Sequence, residues 1–307
     1  MITIFSAPKP FTDPHISLIQ QNAIRSWVQI GKDISVILLG DEEGVAEVAK
    51  QFHILHVKDV QVNEKGTPLI SSMLELTCEK SDSPYLAIVN TDILLFPDIL
   101  EVTKGIASKY KQFVIAGQRW DIKIKAPLQE NKNFFGDLRQ RVFSQGVLHP
   151  PMGSDYFIFP RTCYATIPDF AIGRAGWDNW MIYKARHAGW PVIDASADLL
   201  IAHQEHGYGH FADGKPHYRQ PETQENVRLA GGVHTIYTLF DAQYLTRKFQ
   251  VKRVPWSPKK IFRELEILPV TVFRSDTLGK AFYWLWRPKK AITEMYNAIR
   301  KRTGRAG

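Results

Sequence analysis

Short, mostly apolar runs recur along the first half of this chain: Ile2–Phe5, Ser35–Leu39 (SVILL), Ile54–Val57, Tyr85–Val89 (YLAIV) and Phe113–Ala116. Continuous apolar runs of this length, without polar alternation, mark strands covered on both faces, as in parallel sheets. The stretches between them carry helical signals. Asp13–Pro14 reads as an N-cap followed by proline at the first helical position, and Ile16, Ile19, Ala23, Trp27 and Ile30 follow at helical spacing. Asp41 is expected to cap a helix running to about Phe52, Thr67–Pro68 to open one running to about Lys80, and Pro97 to start another. This β-α-β-α order predicts an α/β domain with a mostly parallel sheet, in which ligands gather at the carboxyl ends of the strands.

After Gly117 the regularity weakens. Trp120–Pro151 is polar, aromatic and mixed, with one helix expected near Phe134–Phe143. Tyr156–Phe159 reads as a strand, Gly176–Gly189 as a helix ending at glycine, and Trp190–Asp194 and Leu199–Ala202 as two further strands. Val254–Lys260 (VPWSPKK) holds two prolines and reads as a linker. The expected organisation is a main domain over residues 1–250 and a basic, aromatic, helical extension over 251–307.

Composition changes little in this picture. With 307 residues, 44% hydrophobic and 23% charged, the chain can bury a full core. Two cysteines, Cys78 and Cys163, imply no disulfide framework and suit a reducing compartment. No run approaches the roughly 20 apolar residues that span a bilayer. The start, MITIFSAPKPF, lacks the basic region of a signal peptide, so a cytoplasmic protein made without export is expected.

Charge matters more, because the net +8 is uneven. From Lys248 to Gly307 there are 15 Lys/Arg against 4 Asp/Glu, whereas the first 247 residues hold 24 against 27. The basic character therefore belongs to the tail, and the main domain gives no electrostatic reason to expect nucleic-acid binding. In Lys280–Arg302, the run Phe282–Trp286 directly precedes Arg287, Lys289 and Lys290. Aromatic rings next to basic residues suit an anionic membrane surface, and a helix docked on the main domain is the alternative.

Three constellations could carry chemistry. Asn90-Thr91-Asp92 leaves the YLAIV strand, where a carboxylate is placed to hold a hard divalent cation; a turn or cap aspartate is the structural alternative. His203-Gln204-Glu205-His206-Gly207-Tyr208-Gly209-His210 follows the strand LLIA and reads as a loop that can offer imidazole to a metal or phosphate; a polar surface loop is the alternative. In Gly176-Trp177-Asp178-Asn179-Trp180, Asp178 could act as a base while Trp177 and Trp180 stack on a sugar; core tryptophans around a helix-cap aspartate are the alternative. Asp155, in Gly153-Ser154-Asp155-Tyr156, is a weaker candidate of the same kind. The turns Ser6-Ala7-Pro8-Lys9-Pro10-Phe11 and Gly66-Thr67-Pro68 stand where helices are expected to begin and backbone N–H groups can meet phosphate. There is no Walker motif, GxGxxG or GxSxG, so P-loop NTPase, Rossmann dehydrogenase and α/β-hydrolase readings lose their main support.

Taken together, Ile4–Phe11, Tyr85–Asp92, Gly176–Trp180 and Ile201–His210 resemble a group of bacterial GT-A-fold, family 2-like glycosyltransferases, over about residues 1–250. The resemblance implies a mostly parallel, Rossmann-like sheet flanked by helices. It implies transfer of a sugar from a nucleoside diphosphate sugar to a hydroxyl of a glycan or lipid-linked acceptor. It assigns a divalent cation (Mn2+ or Mg2+) to Asp92 and His203, with His206 behind. Asp178 becomes the base if the reaction is inverting, and inversion and retention both stay open. Ser6, Ala7, Pro8, Lys9, Thr67, Asn90, Thr91 and Asp92 become donor contacts, and Asp155, Trp177 and Trp180 substrate contacts. Asn90 stands where such proteins usually carry a first acid. A catalytically silent glycan- or nucleotide-binding protein and a sugar nucleotidyltransferase remain the alternative readings.

Overall fold

A computed structural model describes residues 1–206, 220–293 and 296. The strands are β1 (Ile2–Ser6), β2 (Ile34–Leu39), β3 (Leu55–Val57), β4 (Tyr85–Val89), β5 (Ile93–Leu95), β6 (Val114–Ala116), β7 (Trp120–Ile122), β8 (Val147–Leu148), β9 (Tyr156–Pro160), β10 (Val192–Asp194), β11 (Ile201–Gln204), β12 (Tyr244–Arg247) and β13 (Gln250–Arg253). The α-helices are α1 (Pro14–Gln29), α2 (Val45–Gln51), α3 (Ile70–Lys80), α4 (Asp98–Ala107), α5 (Phe134–Gln145), α6 (Trp177–Ala188), α7 (Pro221–Leu229), α8 (Pro258–Thr271) and α9 (Asp276–Trp286). These residues fall into two compact units, Met1–Ala185 with Trp190–Val254, and Arg186–Gly189 with the segment from Pro255 onward. Among the described residues, no helix is long and apolar enough to cross a membrane.

The first unit is mixed α/β, built on a nine-stranded sheet of order β13-β12-β10-β6-β9-β4-β1-β2-β3. It is mostly parallel: β9 and β13 alone run against the others. The apolar runs expected to be covered on both faces are covered on both. Ile2 and Ile4 of β1, Ala87 and Val89 of β4 and Ile158 of β9 form one core with Ala23, Ile24 and Trp27 of α1, Val45 and Val48 of α2, and Val102 and Ile106 of α4. On the opposite face, Phe157 of β9 meets Trp177 of α6 edge to face, with ring centroids 5.6 Å apart. Burial of one such large apolar side chain contributes about 1.5–3 kcal/mol, so these two layers hold the sheet.

Asp13 caps α1 as expected, its carboxylate accepting from the backbone N–H groups of His15 and Ile16 at 2.9 and 2.8 Å. Two other expected caps are corrected. α2 starts at Val45 behind Gly44, whose left-handed φ of 86° turns the chain, and Asp41 instead pairs with Lys58 at 3.0 Å. α3 starts at Ile70 without a side-chain cap, because Pro68 and Leu69 are held in isolated β-bridges to Val62 and Ala171.

A second sheet, β5-β11-β7-β8, stands at the carboxyl end of β4. β5 follows Asp92 at once, β11 pairs antiparallel with β5 and parallel with β7. This sheet corrects the expectation of a loop at His203, since His203 and Gln204 are strand residues. The buried Gln204 side chain donates to the Ile19 carbonyl at 2.7 Å and accepts from Asn22 at 3.1 Å, and Trp27 Nε1 donates to the Ile93 carbonyl at 2.8 Å. The small sheet is thereby fixed to α1.

In the second unit α8 and α9 pack together, and Gly279 lies so close to Val270 that a Cβ there would stand 2.3 Å from Val270 Cγ2. Glu264 accepts from Arg186 and Lys260, and Glu266 pairs with Arg263 and Arg287.

Candidate functional site

The register of the small sheet assembles the site. His203 lies opposite Ile93, the neighbour of Asp92, on one side and opposite Asp121 on the other. Asp92, His203 and His206 each offer one ligand atom, and these atoms lie within 4.8 Å of one another. Asp92 Oδ2 is 3.0 Å from His206 Nε2 and 3.6 Å from His203 Nε2. The other Asp92 oxygen, Oδ1, is buried and has no hydrogen-bond partner. A buried carboxylate oxygen without a partner is costly unless a cation or another donor satisfies it.

Outer partners orient these groups. His203 Nδ1 bonds Asp121 Oδ1 at 3.0 Å, which turns Nε2 toward Asp92. This is the carboxylate–histidine arrangement that fixes the ring of a metal-ligating histidine. Asp121 Oδ2 bonds His149 Nδ1 at 2.7 Å, and Arg119 Nε donates to Asp121 at 3.0 Å. Arg119 Nη1 donates to both Asp155 oxygens at 2.7 Å, and Asn90 Nδ2 donates to Asp155 at 3.1 Å. A continuous polar chain therefore links His149, Asp121, Arg119, Asp155 and Asn90 beside the Asp92 cluster.

The environment sets the charges. Burial alone would raise the Asp92 carboxyl, but His203 and His206 outweigh it and hold it well below the usual carboxylate range. Burial would lower the His203 imidazole, but Asp92 raises it. Asp121 is lowered, because the His149 hydrogen bond and the Arg119 charge overcome its burial. Asp178 goes the other way: burial pushes it up and the nearby Asp155 charge adds to this, against backbone N–H bonds from Asn179, Gly176 and Ser154. Its carboxylate accepts from Gly176 N at 3.2 Å and from Ser154 N at 3.4 Å.

The expected donor and substrate residues divide. Lys9 is exposed, yet desolvation lowers its ammonium, Asp92 raises it and Arg174 lowers it again, so it stands within electrostatic reach of both. Ser6 and Thr91 are buried and hydrogen-bonded to each other at 2.9 Å, where they tie the ends of β1 and β4 together. Pro8 is buried and Ala7 half-buried in the same turn. Thr67 donates to Glu222 at 2.6 Å, and Arg174 pairs with the same carboxylate at 2.8 Å. Trp177 and Trp180 are corrected: they are 3% and 7% exposed. Trp177 packs on Phe157, and Trp180 on Phe170 and Tyr164. Their rings belong to the core under the sheet, so they have no free face for a sugar. Tyr208 and His210 lie outside the described residues.

Arg119, Asp121 and His149 were not among the sequence candidates. Arg119 and Asp121 follow the apolar run Phe113–Ala116 as Asp92 follows Tyr85–Val89, so the strand-end rule applied to Asp92 also points to them.

No family model matches the chain, and no curated protein matches it. Solved structures resemble it in outline. A mannosyltransferase from Pyrobaculum calidifontis, PcManGT, in complex with GDP-Man and Mn2+, is 13% identical at a TM-score of 0.42, over 68% of this chain and 58% of that one. S. aureus TarS 1–349 with UDP-GlcNAc is 10% identical at 0.46, over 75% and 65%. Glucosyl-3-phosphoglycerate synthase from Mycobacterium tuberculosis, with Mn2+, UDP-glucose and phosphoglyceric acid, is 14% identical at 0.46, over 84% and 88%. The match thus spans less than two thirds of the first two chains. The functional reading rests on the site.

Proposed function

We propose that the chain is a GT-A-type glycosyltransferase that moves a sugar from a nucleoside diphosphate sugar to a hydroxyl on a glycan or lipid-linked acceptor. The Asp92–His203–His206 cluster carries this reading. It lies where the parallel sheet delivers its ligands, and its buried, unpartnered Asp92 oxygen fits a divalent cation of the Mn2+ or Mg2+ class.

Asp92, His203 and His206 would hold that cation, with Asp121 keeping the His203 ring turned inward. When bound, it neutralises charge on the diphosphate leaving group. Lys9, within reach of Asp92 and Arg174, adds cationic charge for the phosphates. In transfer, the bond from the anomeric carbon to the diphosphate oxygen breaks, and the diphosphate leaves with the electron pair. The acceptor oxygen bonds that carbon and its proton passes to Asp178. A carboxyl raised by burial is suited to that step, because proton transfer is most effective when the base is tuned toward the working pH. Arg119 pairs with Asp155, beside Asp178, at 2.7 Å.

The test is nucleotide binding and donor hydrolysis over a panel of nucleoside diphosphate sugars, with Mn2+ and with chelator. At least one donor is expected to bind and turn over in a metal-dependent manner, and Asp92→Ala is expected to abolish that dependence without unfolding the protein. Unchanged metal-dependent affinity in Asp92→Ala sinks the metal assignment. Binding without any turnover favours a silent binding protein, and release of pyrophosphate from a nucleoside triphosphate with a sugar phosphate favours a nucleotidyltransferase.

A further inference from the structure

The second unit carries an apolar face that none of its own described residues cover. On α8, Ile261, Phe262 and Leu265 are exposed; Val272 and Phe273 continue the exposure into the turn; and on α9 Leu278, Leu285 and Trp286 are exposed. The spacing on α9, positions 278, 285 and 286 with the half-buried Phe282, keeps these residues on one helical stripe. The two helices present their stripes together, because the rings of Phe262 and Trp286 meet with centroids 6.1 Å apart. Phe262 is 59% exposed and Leu285 71%, so this is not the seam between the helices. That seam is made elsewhere, by Gly279 of α9 against Val270 of α8 and by Arg287, which lies over the buried Tyr283 ring and pairs with Glu266 of α8 at 3.1 Å.

The sequence run Phe282–Trp286 is thus not one surface: Tyr283 faces inward, and the exposed face is completed from α8 instead. Charge identifies what would cover it. Residues 255–307 hold twelve Lys/Arg and four Asp/Glu, a net of +8, which is the net charge of the whole chain. Its acids are largely spoken for inside the unit, by Arg186 and Lys260 at Glu264 and by Arg263 and Arg287 at Glu266. Lys259, Lys289 and Lys290 remain exposed in the same unit, as does Lys280 on the far side of α9 from the stripe. A second copy of the unit would bring two segments of net +8 together, whereas an anionic bilayer accepts apolar side chains and basic residues together.

We propose that the α8–α9 hairpin is a docking surface for an anionic membrane, lying in the interface with Phe262, Phe273, Leu285 and Trp286 inserted among the headgroups. The proposal rests on the second unit alone and does not depend on the glycosyltransferase reading.

The test is sedimentation of the full chain with vesicles of phosphatidylglycerol and phosphatidylcholine, with pure phosphatidylcholine vesicles for comparison, at low and high salt. The chain is expected to pellet with the anionic vesicles at low salt, less at high salt, and weakly with the neutral ones. The triple variant Phe262→Ser, Leu285→Ser, Trp286→Ser is expected to lose binding by roughly tenfold or more. The variant Lys289→Glu with Lys290→Glu, which touches no packed residue, is expected to lose the preference for anionic lipid. Circular dichroism checks that both variants keep their helices. A wild-type chain that stays in the supernatant at low salt, or a triple variant that pellets as the wild type does, overturns the proposal. So does a stable dimer that the triple substitution dissolves and vesicles do not compete for, since the face then belongs to a second copy.

Discussion

Asp92, at the end of β4, and Asp178, in the first turn of α6, are both half-buried aspartates, yet their surroundings drive them in opposite directions. Burial disfavours the charge on each. Asp92 receives two imidazoles, from residues more than a hundred positions away, and their hydrogen bonds and charge overcome the desolvation. Asp178 receives only backbone N–H groups and faces the Asp155 charge, so desolvation prevails. The same residue type is held in its charged form at one position and pushed toward its neutral form at the other. Carboxylates whose environments separate them in this way are what acid–base and metal sites are built from.

The comparison is broken most directly at Asp178. Asp178→Asn keeps the shape and one of the two oxygens that accept backbone N–H bonds but removes basicity, and transfer is expected to fall by about 10²–10⁴-fold with donor affinity nearly unchanged. The acid limb of the wild-type pH–rate profile is expected above the ordinary carboxylate range and to vanish in the variant. Transfer within about threefold of wild type would make Asp178 a structural cap.

On the Asp92 side, Asp121→Asn sharpens the contrast without touching a proposed ligand. It loosens the hold on His203 Nδ1, and metal affinity measured by Mn2+ titration is expected to weaken by about 10–100-fold, as for other outer-shell partners. Unchanged affinity would mean that the His203 ring is held by the strand register alone.

The smallest effect concerns a third carboxylate, Glu222, held at about 2 despite its burial by hydrogen bonds from Thr67, Asn63 and Arg174 and by the Arg174 charge. Its folded value lies below an unfolded one of about 4.3, so its contribution to stability is full above that pH and disappears as pH falls toward 2. Solvent screening limits this contribution to the order of 1 kcal/mol. Chemical denaturation of the wild type is expected to lose stability more steeply over this acid range than Glu222→Gln does; parallel curves would show that the Thr67–Glu222–Arg174 contacts carry no net energy.

The parts of this molecule that local pattern determines were readable in the sequence. The apolar runs of β1, β2, β4 and β6 lie within a residue or so of where they were expected, and Asp13 caps α1, because double-sided burial and capping both act within a few neighbours. Asp92 was legible by its position after a buried strand. The reversed direction of β9 was not, since an apolar run buried on both faces reads the same in either direction. Nor was the burial of Trp177 and Trp180, because residues three apart on a helix share a face and the sequence does not say whether that face meets the core or a ligand. Arg119, Asp121 and His149 stood in a mixed segment, and only the pairing of β7 with β11, 82 residues away, gives them a common purpose.

That reversed strand also has a consequence for how the chain is made. β6 has two neighbours in the large sheet, β9 and β10, and both are encoded after it. During synthesis Phe113–Ala116, fully buried in the finished protein, leaves the ribosome with no strand to pair with until Tyr156–Pro160 has followed. β9 then joins β4 and β6 at once, across loops of some dozens of residues whose closure is slow relative to local helix formation. The middle of the sheet is therefore completed after its β1–β4 side can already have formed, and in the interval an apolar edge is open to chaperones and to aggregation alike.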